Sequence, residues 1–370
     1  MNLNKKQKKI LEKLNKKRAE KMKNAGNQGA GFGKIDEAIE LTKKQPEAIK
    51  NTLEKSEKNS EIFTEIFKKE KIENIISVGC GDSYFSGLAV RMGMEKITDK
   101  IFLPFQALEY SRYYNNFTSD RSIIFPISSS GVVPRTVEAM FVGKNKGAIS
   151  AAVTNNEDSP LAKYSDYILN VEAERKGPPT QSSLGAMTSM LFSGIKLAEI
   201  NGRKEIAKKA LNDIYSLPKK IQSTIEKSAD IAKNIAQDLA KEKTFHFIGG
   251  GPSWAVAHFG YAKVREATWD EAIPWELEEW DHEQTGQIPE GLPVFLIAPN
   301  GNSYDRAKEI ANVVNKDNGY LITIVNEGEK EISSLADVVI EIPETPEYLS
   351  PFTFTVPIQL FSLYLAKTRI

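Results

Sequence analysis

One pattern recurs along this chain at an almost constant spacing. A short apolar run rich in β-branched residues leads into a turn of glycine or serine, and helical spacing follows. The turns at Gly79 and Gly249 lie 170 residues apart, and those at Ser128 and Pro299 lie 171 apart. Two longer segments that begin at Ile149 and Leu321 are offset by 172 residues. This repetition predicts that one domain has been duplicated in tandem.

The repeated unit also predicts the fold class. Strand-like runs that alternate with helices are typical of parallel sheets in doubly wound α/β domains. The expected division of the chain is a basic N-terminal extension, a first domain, a helical linker and a second domain, at 1–34, 35–205, 206–240 and 241–370. We expect the helical stretch between the domains to break near Pro218.

The N-terminal extension is strongly basic. Residues 1–24 carry ten lysine and arginine residues against Glu12 and Glu20 only. A nucleic-acid-binding arm is one interpretation. We favour a solvated helix or frayed tail with Ile10, Leu11 and Leu14 on its one apolar face, followed by a flexible joint at the glycines of 26–33.

Composition excludes several function classes. Basic and acidic residues number 49 each, so no net charge draws the whole molecule to nucleic acid or to an anionic membrane. Cys80 is the only cysteine, which excludes an internal disulfide and favours a reducing compartment. We see no apolar run of about 20 residues and no secretory segment. The expected location is the cytoplasm, without membrane partners.

Two turns of the first copy suit a phosphate group. Gly81, Asp82 and Ser83 follow the first strand, and Ser128, Ser129 and Ser130 follow another, with Arg135 and Thr136 nearby. Free backbone N–H groups, hydroxyls and a helix N-terminus at a strand end together bind anions. The alternative is that these residues are ordinary turn and helix-capping residues.

Other nucleotide-binding motifs fit less well. The third glycine of a dinucleotide-binding pattern is replaced by Tyr84, and the Gly-Lys-Ser or Gly-Lys-Thr of a Walker loop is absent. In the second copy the serine turn becomes 299–303, which has a single hydroxyl. We therefore expect one phosphate site per chain, in the first copy.

Three histidines and one carboxylate are candidates for acid/base chemistry. His246 lies inside an apolar strand and His258 among apolar helix residues, so we interpret both as structural. His282 follows the mixed aromatic and acidic segment Trp275–Trp280, which predicts a loop beside a cleft. Glu266 lies three residues after Lys263, a spacing that also fits a surface ion pair on a helix.

These residues resemble the sugar isomerase (SIS) domain family. The resemblance is to double-SIS proteins similar to the isomerase half of glucosamine-6-phosphate synthase, phosphosugar deglycases and amino-sugar isomerases. It covers about 50–370. Cys80–Ser83 match the family's Cys-Gly-Thr-Ser turn, and Ser128–Val133 match Ser-Gln-Ser-Gly-Glu-Thr, with Val133 in place of threonine and Thr136 as a substitute. Thr180 matches the threonine of a further family segment, in which Gln181 replaces a lysine.

The resemblance also implies roles for the second copy. Lys263 and Glu266 match a family Lys-x-x-Glu, and His282 lies sixteen residues further on, as in the family. By this resemblance Glu266 carries a proton between C1 and C2, His282 assists ring opening from a neighbouring subunit, and Lys263 positions substrate or keeps the glutamate ionised. It implies flavodoxin-like SIS domains, a homodimer with a shared site, a phosphosugar ligand, and no cofactor or metal.

The expected reaction follows from this resemblance. It is isomerisation of a hexose or hexosamine 6-phosphate by enediol or enolamine proton transfer. The glutaminase domain of the synthase has no counterpart here, and its C-terminal tail with an active-site lysine is not matched before Ile370, so we do not expect glutamine-dependent synthesis. Two alternatives stay open, a deglycase for phosphorylated fructose-amines and a non-catalytic phosphosugar sensor.

Overall fold

The computed structural model describes residues 3–24, 34–69, 71–284 and 286–369. The chain forms two compact units. The first lies within Met1–Ala30, Glu47–Glu174 and Gln181–Tyr215, and the second within Gly31–Pro46, Arg175–Thr180 and Ser216–Ile370. The joint predicted at the glycines of 26–33 lies outside the described residues, and the predicted domain boundaries stay predictions.

Helices and strands alternate along most of the chain. The elements up to residue 200 are α1 Lys5–Asn24, α2 Ile35–Lys43, α3 Gln45–Lys58, α4 Ser60–Lys69, β1 Asn74–Gly79, α5 Asp82–Thr98, β2 Ile101–Gln106, α6 Ala107–Arg112, β3 Ser122–Pro126, α7 Pro134–Asn145, β4 Ile149–Thr154, α8 Pro160–Tyr164, β5 Tyr167–Asn170 and α9 Gln181–Ile200. The later elements are α10 Lys204–Asp238, β6 Thr244–Gly249, α11 Pro252–Thr268, β7 Glu271–Trp275, α12 Leu277–Gln284, β8 Pro293–Ala298, α13 Tyr304–Lys316, β9 Tyr320–Asn326, β10 Val338–Ile342 and α14 Ser350–Thr368.

Each unit contains a five-stranded parallel sheet. The strand order is β2-β1-β3-β4-β5 in the first and, read in the same direction, β7-β6-β8-β9-β10 in the second. This order is that of flavodoxin-like doubly wound folds. The predicted fold class and the duplication are therefore confirmed. In such a sheet the order in which successive strands are added reverses between β1 and β3. Ligands characteristically bind at this switch point, beyond the carboxyl ends of the strands.

The duplication extends to the backbone angles. Gly81 precedes α5 with φ 57° and ψ −131°, and Gly251 precedes α11 with φ 54° and ψ −125°. Asp99 and Trp269 end the same two helices in the left-handed region, at φ 58° and 63°. Non-glycine residues seldom adopt this conformation, so its recurrence in both copies reflects a shared local fold.

Apolar strands and two helical layers build each core. The central strands are buried almost throughout, as parallel strands covered on both faces must be. In the first unit α5 packs on β1, β2 and α9, whereas α7 packs on β1, β3, β4 and α6. In the second unit α11 packs on β6, β7 and α14, and α12 packs on α13.

Helix α1 is more ordered than a frayed tail. Its apolar residues Leu11 and Leu14 are buried in one cluster with Val137, Met140 and Phe141, which all lie on α7. Its other residues are mainly exposed, because the helix is apolar along one face only.

The most apolar helix of the second unit passes a simple test for a membrane span. Residues Glu347–Thr368 are long and apolar enough to cross a membrane, contrary to the expectation from the sequence. However, 94% of the apolar stretch is buried inside the structure. Phe352, Phe354 and Phe361 are among the largest fully buried side chains. Burial of this kind is typical of a core helix.

Pro218 does not break the helical segment. The predicted break is wrong, because α10 continues through Pro218 and the interruption lies instead between α9 and α10 at Asn201–Arg203. Leu217 and Ile221 on either side are fully buried. Tertiary packing of the apolar face therefore compensates for the hydrogen bond that proline cannot donate.

Candidate functional site

Several polar groups of the first unit meet at the switch point of its sheet. Helix α5 begins at Asp82, directly after β1 and Gly81, and α9 begins at Gln181. A small cavity of about 20 Å³ lies beside both helix starts, lined by Asp82, Ser83, Ser86, Ile127, Ser129, Val153, Asn155, Val171, Ser182, Ser183 and Ala186. Two helix starts beside hydroxyls and an amide make this a place where an anion can be bound.

The three consecutive serines have different environments. Ser128 is 2% exposed, and its Oγ accepts a hydrogen bond from the Gly131 N–H at 3.1 Å, which closes the turn. Ser129 is half-buried and donates to Asn155 Oδ1 at 3.2 Å, and Ser130 is exposed. Ser128 therefore supports the turn, whereas Ser129 and Ser130 are accessible for ligand contacts.

Two predicted threonine ligands are packed inside their units. Thr136 is fully buried beside the Cys80 thiol. Thr180 is 3% exposed, its Oγ1 lies 3.1 Å from Thr42 Oγ1, and its carbonyl accepts a hydrogen bond from Gln45 at 3.1 Å. Neither lines the cavity, so their ligand roles stay predictions without geometric support.

The cavity also contains residues that sequence reasoning missed. Ser182 and Ser183 lie in the first turn of α9, and Asn155 follows β4. A signal was present, because Gln-Ser-Ser stands at the start of a long apolar helix. Asn155 gave no comparable signal, since asparagine after a strand is an ordinary turn residue.

The second unit contains an ion pair with an uncommon burial pattern. Lys263 Nζ donates to Glu266 Oε2 at 2.5 Å, one turn apart on α11. The lysine side chain is 1% exposed, whereas the glutamate is 44% exposed. A surface pair would leave both groups solvated. A buried ammonium needs close anionic partners, and the Glu266 carboxylate is one of them.

The segment before His282 is not a loop. The predicted loop is wrong, because Glu271–Trp275 form β7 and Leu277–Gln284 form α12. Leu277 and Trp280 are buried in the core, which fixes the helix on the sheet. The acidic and aromatic residues alternate because a helix has one apolar and one polar face. His282 is exposed on α12.

The other two histidines are packed, and burial is the cause of their altered acidity. Trp280 Nε1 donates to His246 Nδ1 at 3.4 Å, and His258 packs edge-on against Trp254 and Tyr261. Burial lowers the pKa of each histidine to about 4. Both are therefore neutral near pH 7, as expected for structural residues.

This burial predicts a pH-dependent stability. Both histidines bind a proton more readily in the unfolded chain than in the folded one. Their contribution to the free energy of unfolding is therefore fully present above pH 6.5 and is lost as the pH falls towards 4. For His246 the loss at pH 4 is about 3 kcal/mol, at 1.36 kcal/mol per pKa unit. Urea unfolding at pH 7 and pH 4.5 measures it by tryptophan fluorescence, because all four tryptophans lie in the second unit.

A histidine variant isolates the effect. His246→Gln is expected to reduce the difference in unfolding free energy between the two pH values, whereas His282→Gln, at an exposed position, leaves it unchanged. An unaltered pH dependence in His246→Gln would contradict the assignment.

The second copy of the serine turn is occupied by a carboxylate of the chain itself. Glu347 Oε1 accepts a hydrogen bond from the Asn302 N–H at 3.0 Å, within the turn that follows β8. The expectation of one phosphate site per chain stays a prediction.

The geometry defines a duplicated doubly wound α/β protein whose first unit has a small polar cavity at the switch point of its sheet. A family model described as the SIS domain matches residues 66–199 and again 238–369. The chain belongs to the SIS domain family and carries two SIS domains.

Known relatives share this architecture. A glutamine–fructose-6-phosphate aminotransferase of Thermococcus kodakarensis is 27% identical over 334 residues, which cover 88% of this chain and 54% of the relative. The chain thus spans about half the length of the curated relatives that it matches.

Among solved structures, the C-terminal domain of glucosamine-fructose-6-phosphate aminotransferase from Francisella tularensis superposes with a TM-score of 0.81. The two sequences are 22% identical, and the match covers 90% of this chain and 96% of the Francisella chain. Glucosamine-6-phosphate deaminase from Thermotoga maritima superposes with a TM-score of 0.70 at 21% identity. The match covers 90% of this chain and 94% of the deaminase chain. These likenesses establish the fold.

Proposed function

We propose that the protein is a phosphosugar isomerase that acts on a hexose or hexosamine 6-phosphate. The observation that carries the proposal is the Lys263–Glu266 pair, in which a buried ammonium holds a carboxylate that is open to solvent on its other side. A general base must be held in position and must be accessible to substrate, and this carboxylate meets both conditions. The family membership supports the substrate class.

In the proposed reaction Glu266 moves one proton between neighbouring carbons. It takes the proton from C2 of the open-chain sugar while the C1 oxygen gains a proton, which gives an enediol, or an enolamine from an amino sugar. It then returns the proton to C1 while the hydroxyl or amine on C2 loses a proton and becomes the carbonyl or imine. The Lys263 ammonium remains charged throughout and keeps the carboxylate oriented. We assign ring opening to His282 of a partner subunit in a homodimer, because the imidazole is exposed on α12 and can both accept and donate a proton.

We assign phosphate binding to the turns of the first unit. The cavity beside Ser83 and Ser129 has a volume of about 20 Å³, close to the space of one water molecule. A phosphate group therefore needs the exposed side of the turns, where Gly81 and Ser130 lie. The N–H groups at the start of α5 provide positive partial charge towards it.

One observation favours a non-catalytic phosphosugar sensor as a second candidate. Val133 precedes α7 and makes no side-chain capping hydrogen bond, where the family has threonine. A site that lacks one phosphate contact can still bind without supporting efficient catalysis. A deglycase could use the acidic segment 276–283 to bind the amine of its substrate. It gains no comparable support, because Glu276 caps α12 and Glu278 pairs with Arg306.

A substrate panel tests the proposal. Purified protein is assayed with hexose 6-phosphates, hexosamine 6-phosphates and phosphorylated fructose-amines, and thermal unfolding is followed with each compound and with the unphosphorylated sugars. We expect interconversion of an aldose and a ketose phosphate, with thermal stabilisation by phosphorylated compounds only. Stabilisation without turnover would identify the sensor, and fructose-amine cleavage the deglycase. If no phosphorylated compound stabilises the protein and none is turned over, phosphosugar binding itself is refuted.

A further inference from the structure

The basic helix α1 lies along α7 in the opposite direction. Gln7 Nε2 donates to Asn145 Oδ1 at 3.0 Å, and Asn145 is the last residue of α7. Eight residues later, Asn15 Oδ1 accepts from Arg135 Nη2 at 3.3 Å, in the first turn of α7. Leu11 and Leu14 are buried in the cluster that also contains Val137, Met140 and Phe141. The register between the two helices is thus fixed at both ends.

This register places the end of α1 beyond the start of α7. Helix α7 follows β3 and the serine turn, so its start lies at the carboxyl edge of the sheet. With a rise of about 1.5 Å per residue, Arg18 lies about 4.5 Å further along α1 than Asn15. Residues three and four apart share a helix face, so Arg18 continues the face of Leu14 and Asn15.

Charge around the anion-binding turns supports a role for Arg18. The buried Glu138 carboxylate pairs with both Arg112, at 2.8 Å, and Arg135. Two guanidinium groups on one carboxylate leave one surplus positive charge. The positive charges of Arg18 and Arg135 act on the thiol of Cys80, next to Gly81, although burial is the larger effect and raises the pKa of that thiol.

We propose that α1 is part of the phosphate site of the first unit, and that Arg18 adds a positive charge for a phosphate monoester bound at the Gly81 and Ser128–Ser130 turns. The inference rests on the proposed function, since it extends the same site. With Arg18, three guanidinium groups stand against the carboxylates of Glu138 and Asp82, which leaves a surplus of one positive charge towards a phosphate monoester of nearly −2 at pH 7.

The test measures anion binding rather than turnover. Calorimetric titration with inorganic phosphate and with hexose 6-phosphate compares the unaltered protein with Arg18→Gln, Arg18→Lys and the control Lys13→Gln, which removes one exposed charge elsewhere on α1. We expect Arg18→Gln to raise Kd about three- to fivefold at low salt, which corresponds to up to about 1 kcal/mol. Arg18→Lys should retain most of the affinity, and added salt should shrink the difference.

The outcomes separate this inference from the proposed function. Equal affinities in Arg18→Gln and Lys13→Gln would overturn it, as would the absence of phosphate binding by the unaltered protein. Phosphate binding that depends on Arg18 in a protein without isomerase activity would support it while the proposed reaction fails. If isomerase activity depends on Glu266 but phosphate affinity is the same with and without Arg18, the role of Arg18 is overturned and the proposed function stands.

Discussion

Replacement of Glu266 by glutamine is expected to lower turnover of a hexose 6-phosphate about 10²- to 10⁴-fold, the usual contribution of a positioned general base. The amide has nearly the shape of the carboxylate but cannot accept the proton from C2. Binding of the phosphosugar should persist, because the proposed phosphate contacts lie in the first unit. The decrease should therefore fall on kcat rather than on KM.

A matched variant controls for loss of an ion pair. Lys196 and Glu199 form another pair three residues apart on a helix, with Nζ and Oε2 separated by 3.0 Å, but with side chains 19% and 38% exposed. Glu199→Gln should leave kcat unchanged. Undiminished turnover in Glu266→Gln, or an equal loss in both variants, would remove Glu266 from the mechanism.

Replacement of Gly131 by alanine is expected to destabilise the first unit by about 3 kcal/mol or more. Gly131 adopts φ 65°, which costs other residues about 1–2 kcal/mol. A Cβ atom there would also overlap the Ser159 hydroxyl, which caps α8 by accepting the Ala162 N–H at 3.2 Å. Overpacking of this kind costs about 1–3 kcal/mol. The serine turn would shift, so phosphosugar affinity should fall as well.

Gly202 provides the comparison for backbone strain alone. It also has positive φ, at 80°, but a Cβ atom there would meet open space. Gly202→Ala should cost only about 1 kcal/mol and leave phosphosugar affinity unaltered. Urea unfolding followed by circular dichroism measures both variants. Equal destabilisation of the two would show that the contact with Ser159 is unimportant.

The fold was predictable because its signals are local and repeated. Each strand-turn unit, such as Ile75–Ser83 or Phe245–Pro252, carries an apolar run and small turn residues in sequence, and duplication shows the same signal twice. Parallel strands also need long connections, which the helical spacing provides. The pairing of Lys263 with Glu266 followed equally from their helical spacing.

Properties that depend on tertiary packing were not predictable. Nothing local indicates that Lys263 is buried while Glu266 is half-exposed, or that Trp280 anchors α12 on the sheet. The course of α10 through Pro218 likewise depends on buried neighbours that lie far away in the sequence. Among the serines, only the structure distinguishes Ser128, which closes the turn, from Ser129 and Ser130, which remain accessible.

The contact between Glu347 and the Asn302 N–H gives the two copies different thermodynamic behaviour. A turn that binds a carboxylate of its own chain needs no anion from solution. A turn that depends on an outside anion gains stability in proportion to the logarithm of that anion's concentration, once it exceeds Kd. Under the proposed function, the stability of the first unit would therefore rise with the supply of phosphosugar, whereas that of the second would not depend on it.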